Sequence, residues 1–273
     1  MTQVTNLFVV YDPTREEQPA FERAAEIAEE LTARLHVFAC IYSKTAKSAG
    51  KSDEAQSLIA EQQDILDRAV APLTDRGIDV ITEVDWDKDW PQAVARASIR
   101  NSADMVFKSS YKHCSAKRAL NKTSDWTLIR ECLCPVLLVK EGTPRDVPKH
   151  RVLAAVDICA KKESYERLNQ NVIDFSKQFL DTRDVEVHYI NAFQNFKGMP
   201  PRRELIEKSG AESDNIHIKL GKREKVIVDQ AKILDVSLVV IGNSARSGLS
   251  AALLGNTVEK VLDRVECNVL SLP

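Results

Sequence analysis

The chain lacks the features of a membrane or exported protein. Its first residues have no basic region followed by an apolar stretch and a small-residue cleavage site. No segment approaches the roughly 18 consecutive apolar residues that a spanning helix needs. We therefore expect a soluble, cytoplasmic protein that has no membrane partner.

Excess charge is also missing, because 38 basic side chains face 40 acidic ones and the formal net charge is −2. Such a balance gives no general field that would attract nucleic acid. No basic stripe accompanies Trp86, Trp90 and Trp126, so we predict core or interface positions for them rather than a base-stacking platform. A ligand must therefore be recognised locally, and we expect no nucleic-acid partner.

The six cysteines form no motif for metal or redox chemistry. Cys132 and Cys134 are separated by one residue, whereas zinc and redox motifs place two residues between their cysteines. Cysteines in apolar, strand-like segments are usually buried thiols. The adjacent His113 and Cys114 supply two of the four ligands that a structural site needs. We predict no metal site, and the sequence leaves open whether these two residues join one.

Glycine is scarce, yet three of the nine glycines lie in one segment, GNSARSGLSAALLGNT, residues 242–257. The segment follows one apolar run and precedes another. It contains neither Gly-x-Gly-x-x-Gly nor the Gly-Lys-Ser/Thr of a Walker loop. Its glycines could let backbone amides approach a phosphate, or they could serve only the turn between a strand and a helix.

The sequence contains two copies of one pattern. A shift of 133 residues aligns DMVFKS (104–109) with SLVVIG (237–242) and CPVLLV (134–139) with CNVLSL (267–272). Near the start of each copy the shift is 145, so the second copy carries a deletion of 12 residues. We predict domains at 1–140 and 151–273, joined by a linker at 141–150 that contains two prolines.

Each copy alternates apolar strand-like runs with amphipathic helical patterns. This order predicts two tandem Rossmann-like open sandwiches, each a mostly parallel five-stranded sheet with helices on both faces. The deletion falls where the first copy has a long helical pattern, around residues 55–73. We therefore expect a short helix or a loop in its place in the second copy.

Residues at the ends of two strands resemble the nucleotide site of the universal stress protein family, in particular its tandem, two-domain E type. Nucleotide-binding members carry an aspartate at the end of the first strand. After the fourth strand they carry Gly-x-x-Gly, nine residues, then Gly-Ser or Gly-Thr. The second copy has Asp157, Gly242 and Gly255 at the matching positions, and Gly248 where many members also have glycine.

The second copy departs from that pattern at two positions. Ala245 replaces the second glycine, and a positive φ there would cost roughly 1–2 kcal/mol. Asn256 replaces the hydroxyl residue, with Thr257 one position later. The loss of one hydrogen bond to a charged group is worth about 1.5–3 kcal/mol, which weakens binding without abolishing it. Arg246 is a candidate phosphate contact, although a solvated surface arginine is the simpler interpretation.

The resemblance implies a ligand-binding role with a defined geometry. Asp157 would face the nucleoside, the backbone from Ile190 to Ala192 would contact the base, and residues 242–257 would hold the phosphates. Alternatively, Asp157 caps the next helix and residues 190–192 merely end a strand. The expected ligand is ATP, a related adenine nucleotide or another phosphate-bearing molecule, and the sequence leaves the participation of magnesium open.

The first copy lacks the glycines of the second. It keeps Asp12 but has Ser109, Lys122 and Thr123 at the glycine and hydroxyl positions, and Asp125 would repel an anion. Since the first copy makes the same connection without glycine, the contrast favours a ligand as the reason for the glycines of the second copy. We predict a degenerate nucleotide loop in the first domain.

Three functions are compatible with these patterns. The leading one is a stress-response protein that binds a ligand in its C-terminal domain. The alternatives are a slow ATPase, for which the sequence offers no catalytic base, and a scaffold without ligand. Because the last strand of each copy is apolar, we expect the copies to form an intramolecular pseudo-dimer, with homodimer formation of the whole chain left open.

Overall fold

The structure is a computed structural model that describes residues 4–43, 52–111, 118–143, 149–180, 182, 184–244 and 257–273, with backbone only for 118–124. The chain divides into two compact units, Met1–Glu141 (unit 1) and Gly142–Pro273 (unit 2). No helix in the described ranges is long and apolar enough to cross a membrane.

Unit 1 is an α/β sandwich whose described strands are all parallel. The strand order is β3-β2-β1-β4-β5. Its elements are β1 (Asn6–Val10), α1 (Pro19–Leu31), β2 (Arg34–Ile41), α2 (Asp53–Asp75), β3 (Val80–Trp86), α3 (Trp90–Arg100), β4 (Met105–Ser110), α4 (Arg118–Glu131) and β5 (Val136–Lys140).

Local sequence signals explain where these elements begin and end. Leu7, Phe8 and Val9 are fully buried, as expected for a strand that is covered on both faces. The α2 helix begins after Ser52, whose side chain accepts a hydrogen bond from the Ala55 amide. It is followed by Gly77 at φ +86°, a left-handed conformation that glycine adopts without strain.

Unit 2 repeats this architecture with the strand order β8-β7-β6-β9-β10, again parallel in the described residues. Its elements are β6 (His150–Val156), α5 (Glu163–Lys177), β7 (Val185–Phe193), α6 (Arg202–Ser209), β8 (Ile216–Leu220), α7 (Arg223–Ile233), β9 (Leu238–Gly242), α8 (Thr257–Leu262) and β10 (Asn268–Leu272). Two 3-10 turns lie at Phe196–Gly198 and Ser213–Asn215.

The predicted fold class is confirmed. The deletion has the expected effect, because the 23-residue α2 of unit 1 corresponds to the 8-residue α6 of unit 2. In each unit the strand order reverses at one point, between β1 and β4 and between β6 and β9. Such reversals open a crevice at the carboxyl ends of parallel strands, where ligands of α/β proteins usually bind.

Candidate functional site

The crevice of unit 2 lies at the carboxyl ends of β6, β7 and β9 and has a volume of about 110 Å³. It brings together the five residues of the predicted site that the structure describes: Asp157, Ile190, Ala192, Gly242 and Thr257. The other five lie outside the described residues: Ala245, Arg246, Gly248, Gly255 and Asn256. The contribution of these residues to ligand binding stays a prediction.

Asp157 does not cap the following helix. The residue before α5 is Lys162, five positions after Asp157, and the Lys162 side chain makes no capping hydrogen bond. The Asp157 carboxylate instead accepts a hydrogen bond from the guanidinium of Arg223, the first residue of α7. This ion pair crosses the crevice and places one negative and one positive group at its rim. The capping interpretation of Asp157 is therefore wrong.

The backbone that follows β6 is held by two amide side chains. The Asp157 amide donates to the Asn169 Oδ1 (2.8 Å), and the Asn169 Nδ2 donates back to the Asp157 carbonyl (2.8 Å). The Ile158 amide donates to the Asn191 Oδ1 at 2.9 Å. These bonds satisfy backbone groups that leave the sheet at this point. They also fix the direction in which the Asp157 carboxylate projects.

Gly242 has a packing reason that is independent of any ligand. A β-carbon on this residue would lie 2.5 Å from Leu168 Cγ and 2.9 Å from both methyl carbons of that side chain. Leu168 belongs to α5 and lines the crevice together with Gly242. The structure thus offers a packing reason for Gly242 beside the ligand that the contrast between the two copies favours.

The crevice is smaller than a site that encloses a whole nucleotide. Ligand pockets usually measure about 300–1,000 Å³, against about 110 Å³ in the described part of unit 2. Tyr165, Leu168, Ile190 and Ile227 supply apolar walls. The described walls can therefore enclose one part of a ligand, such as a planar ring.

The corresponding crevice of unit 1 is larger, at about 230 Å³, but its Lys108 and Asp125 pair with one another. The Lys108 ammonium lies 2.9 Å from the Asp125 carboxylate and donates to the Ser109 carbonyl at 2.7 Å. It also lies 5.3 Å from the ring centre of Trp90. Both charged side chains are largely buried. Asp125 thus neutralises the lysine that would otherwise attract an anion.

In unit 1 the residues at the positions of Gly242 and Asp157 make different contacts from those of unit 2. Ser109, at the position of Gly242, accepts a hydrogen bond from the Ala20 amide in the first turn of α1 (3.0 Å). Asp12, at the position of Asp157, accepts bonds from the amide and hydroxyl of Thr14. The side chains of Lys122 and Thr123 are not described. In unit 1 the aspartate and the serine thus serve local turns and a helix end.

Metal and redox chemistry find little support in the described residues. Within those ranges no group of three or more His, Cys, Asp or Glu side chains is arranged to hold a metal ion. The five described cysteines form no disulfide with one another, and burial raises the pKa of Cys40 to about 12. Cys114, like its neighbour His113, lies outside the described residues.

Sequence reasoning missed three residues that contact Asp157 or Gly242 in the crevice. Arg223 and Asn169 contact the main chain or side chain of Asp157, and Leu168 packs against Gly242. All three lie on helices rather than on the strand ends that the family pattern marks. The one available signal was the basic pair Lys222 and Arg223 directly after Gly221, at a position where a helix begins beside the carboxyl edge of the sheet.

Comparison with known proteins fits this architecture. The model of the Universal stress protein family matches residues 4–140 and again residues 151–273. The chain belongs to the universal stress protein family. It is similar to the universal stress protein E homolog of Haemophilus influenzae, with 27% identity over 98% of this chain and 96% of the relative. Universal stress protein E of Escherichia coli K12 is 26% identical over 99% of this chain and 94% of its own length.

Solved structures also match the chain over nearly its whole length. A protein of unknown function from Pseudomonas aeruginosa PAO1 matches with a TM-score of 0.75 and 27% identity, over 98% of this chain and 92% of that one. A universal stress protein from Archaeoglobus fulgidus DSM 4304 matches with a TM-score of 0.72 and 16% identity, over 99% and 96% of the two chains. The second likeness concerns the fold alone.

Proposed function

We propose that this protein is a stress-response protein whose C-terminal unit binds an adenine nucleotide or another phosphate-bearing small molecule. The observation that carries the proposal is the crevice at the reversal of strand order in unit 2. Asp157, Ile190, Ala192, Gly242 and Thr257, each expected at the site from family resemblance, line this one cavity. Strand-order reversal is also where α/β proteins bind ligands as a class.

The shape of the crevice supports a ring-binding role for its described part. Ile190, Ala192 and Ile227 offer apolar contact to a planar group. Asp157 can accept hydrogen bonds from sugar hydroxyls, since its carboxylate has two oxygens and several acceptor directions. Arg223 holds that carboxylate in place. The phosphates would then extend towards residues 245–256, whose sequence carries the two departures from the family pattern.

Unit 1 differs in a way that favours binding in unit 2. Its Lys108 and Asp125 neutralise one another, so an anionic ligand gains little from that lysine. We infer that unit 1 is the pairing partner of unit 2 within the chain, because the last strand of each unit is apolar. The proposal also includes homodimer formation, in which two whole chains pair.

The test is calorimetry on the full chain with ATP, ADP and AMP, with and without magnesium. The matched variants are Asp157→Asn in unit 2 and Asp12→Asn in unit 1. Loss of hydrogen bonds to a charged group is worth about 1.5–3 kcal/mol, so Asp157→Asn should weaken binding about tenfold to a hundredfold. The ion pair with Arg223 is half-exposed and contributes at most about 1 kcal/mol, so folding should be little changed.

Three outcomes separate the alternatives. Absence of heat and of a thermal shift with millimolar ATP removes the nucleotide form of the proposal. Mass spectrometry of small molecules released from the purified protein then identifies another phosphate-bearing ligand. If the protein releases no such molecule, the scaffold function is the remaining alternative. Slow ATP hydrolysis must disappear in the Gly255→Asp variant, which places a carboxylate in the expected phosphate loop. Equal weakening by Asp157→Asn and Asp12→Asn would contradict the assignment to unit 2.

A further inference from the structure

The crevice of unit 2 has a cation at the end where the sugar of a nucleotide is expected. Arg223, the first residue of α7, donates a hydrogen bond to the Oδ2 of Asp157. The Arg223 side chain is 53% exposed and lines the crevice. A guanidinium has five N–H donors, and within the described residues this hydrogen bond is the one that the structure shows for it. Its remaining donors are therefore open to a ligand.

The Asp157 carboxylate also keeps one oxygen open. Arg223 contacts Oδ2, and no second donor to this carboxylate is present in the described part of the chain. An ionised carboxylate accepts hydrogen bonds from hydroxyl groups, whereas a guanidinium binds phosphate through two parallel bonds. Asp157 and Arg223 therefore offer, side by side, an acceptor for a hydroxyl group and a cationic fork for a phosphate.

The equivalent position of unit 1 has no such cation. Helices α3 and α7 have 11 residues each, and the shift of 133 aligns Asp89 and Trp90 with Lys222 and Arg223. Trp90 lines the crevice of unit 1, as Arg223 lines the crevice of unit 2. Both residues begin their helix and occupy the same place in the fold. Where unit 1 has an indole ring, unit 2 has a guanidinium.

The loop after the first strand of each unit differs in the same direction. The shift of 145 aligns residues 13–17 (PTREE), whose net charge is −1, with residues 158–162 (ICAKK), whose net charge is +2. The Lys162 ammonium lies 5.6 Å from the ring centre of Tyr165, which is a wall of the crevice. Together with Arg223, this loop makes the sugar end of the crevice more positive in unit 2 than in unit 1, which favours an anionic group there.

The pairing of an acidic and a basic side chain matches a division of roles in parallel α/β folds. An acidic residue near a strand end accepts hydrogen bonds from the ribose hydroxyls of a nucleotide, and a nearby arginine accommodates a phosphate on the ribose. We propose that unit 2 selects a nucleotide whose ribose carries a phosphate on its 2′ or 3′ oxygen, and that Arg223 binds this phosphate. The inference rests on the proposed nucleotide binding of unit 2 and narrows its ligand class.

The experiment is calorimetry on the full chain with AMP, adenosine 2′,5′-bisphosphate and adenosine 3′,5′-bisphosphate at equal ionic strength. A charge-assisted contact to the added phosphate should make one of the bisphosphates bind at least about tenfold more tightly than AMP. The preferred bisphosphate identifies the oxygen that carries the phosphate. Arg223→Gln should remove the preference and leave the affinity for AMP nearly unchanged, because Asp157 still accepts from the hydroxyl groups.

Two variants control for net charge and for folding. Lys225→Gln removes one positive charge from the same helix, where Lys225 pairs with Asp229, and it should keep the preference. Arg223→Lys keeps the charge but loses the planar fork, so it should bind the bisphosphate more tightly than Arg223→Gln does. Thermal unfolding of each variant checks that unit 2 is folded.

Two results would overturn the inference and leave the proposed function standing. In the first, AMP binds and neither bisphosphate binds more tightly. In the second, Arg223→Gln weakens AMP and the bisphosphates by the same factor, which would mean that Arg223 only supports the crevice. If none of the three nucleotides binds to the wild type, the nucleotide form of the proposed function fails together with this inference.

Discussion

Gly242→Ala is the substitution that best separates packing from ligand binding in unit 2. Gly242 ends β9, and it is not among the described glycines that have a positive φ. An alanine therefore meets no backbone strain there. Its β-carbon meets Leu168 instead, at 2.5 Å from Cγ and 2.9 Å from each methyl carbon. Carbon atoms in contact prefer about 3.5–4.0 Å, so the overlap is about 1 Å.

The expected loss follows from that overlap. Overpacking of a well-filled site costs typically about 1–3 kcal/mol. Leu168 is half-buried and can move partly outward, so the lower half of this range applies. For a unit of this size, each kcal/mol shifts the midpoint of thermal unfolding by a few degrees. We expect Gly242→Ala to lower the transition of unit 2 and to leave that of unit 1 unchanged.

The assay is differential scanning calorimetry of the full chain, with the two transitions fitted separately because a two-unit protein need not unfold in one step. The companion variants are Leu168→Ala and the double variant. Leu168→Ala alone loses packing, and it also removes the atoms that the new methyl group would strike. The double variant should therefore lose clearly less stability than the sum of the single variants.

Additive losses would refute this account of Gly242. In that case the glycine is not required by Leu168, and close approach of a ligand becomes its better explanation. Ligand affinity provides an independent check. If packing is the reason, Gly242→Ala in the Leu168→Ala background should bind the ligand as Leu168→Ala does, whereas a phosphate contact would fail in both backgrounds.

Two further predictions concern single side chains. Ser109→Ala should destabilise unit 1 by about 0.5–1.5 kcal/mol in urea unfolding, because the Ala20 amide loses its acceptor; an unchanged midpoint would contradict this. His217 has a pKa of about 4 when folded and about 6.5 in an unfolded chain, so the unfolded state binds more protons between these values. Unit 2 should keep its full stability above about pH 6.5 and lose part of it as the pH falls to 4. His217→Gln should flatten that dependence, and His150→Gln should not.

Much of the fold could be predicted from the sequence because its signals are local. Continuous apolar runs mark strands buried on both faces, and the repeat pairs each element with a counterpart. Even the difference between α2 and α6 follows from the shift of the repeat. Gly77 follows α2 in the left-handed conformation, and glycine at such a position is a common signal for the end of a helix.

The crevice could be predicted only in part because its contacts join distant segments. The strand ends that carry Asp157 and Ile190 follow from the topology of a parallel sheet. The partners Arg223 and Leu168 do not, since a helical pattern indicates which face is apolar but not which residue reaches a given strand end. For Asp125 the sequence likewise predicts only that the carboxylate repels an anion, and it does not predict the ion pair with Lys108.

In each unit one amide side chain, here called the amide brace, binds both the main-chain amide and the carbonyl of the aspartate. The geometry of the brace is the same in both units, although different sequence positions supply it. In unit 1 the Asp12 amide and carbonyl are bound by Gln18, and in unit 2 those of Asp157 are bound by Asn169. Under the shift of 145, Gln18 falls on Glu163 and Asn169 on Ala24, so the two braces occupy unmatched columns. Evolutionary comparison by position would score both as unrelated substitutions. A survey organised by which main-chain groups are satisfied would recognise the same hydrogen-bond pattern in both units, made by different residues.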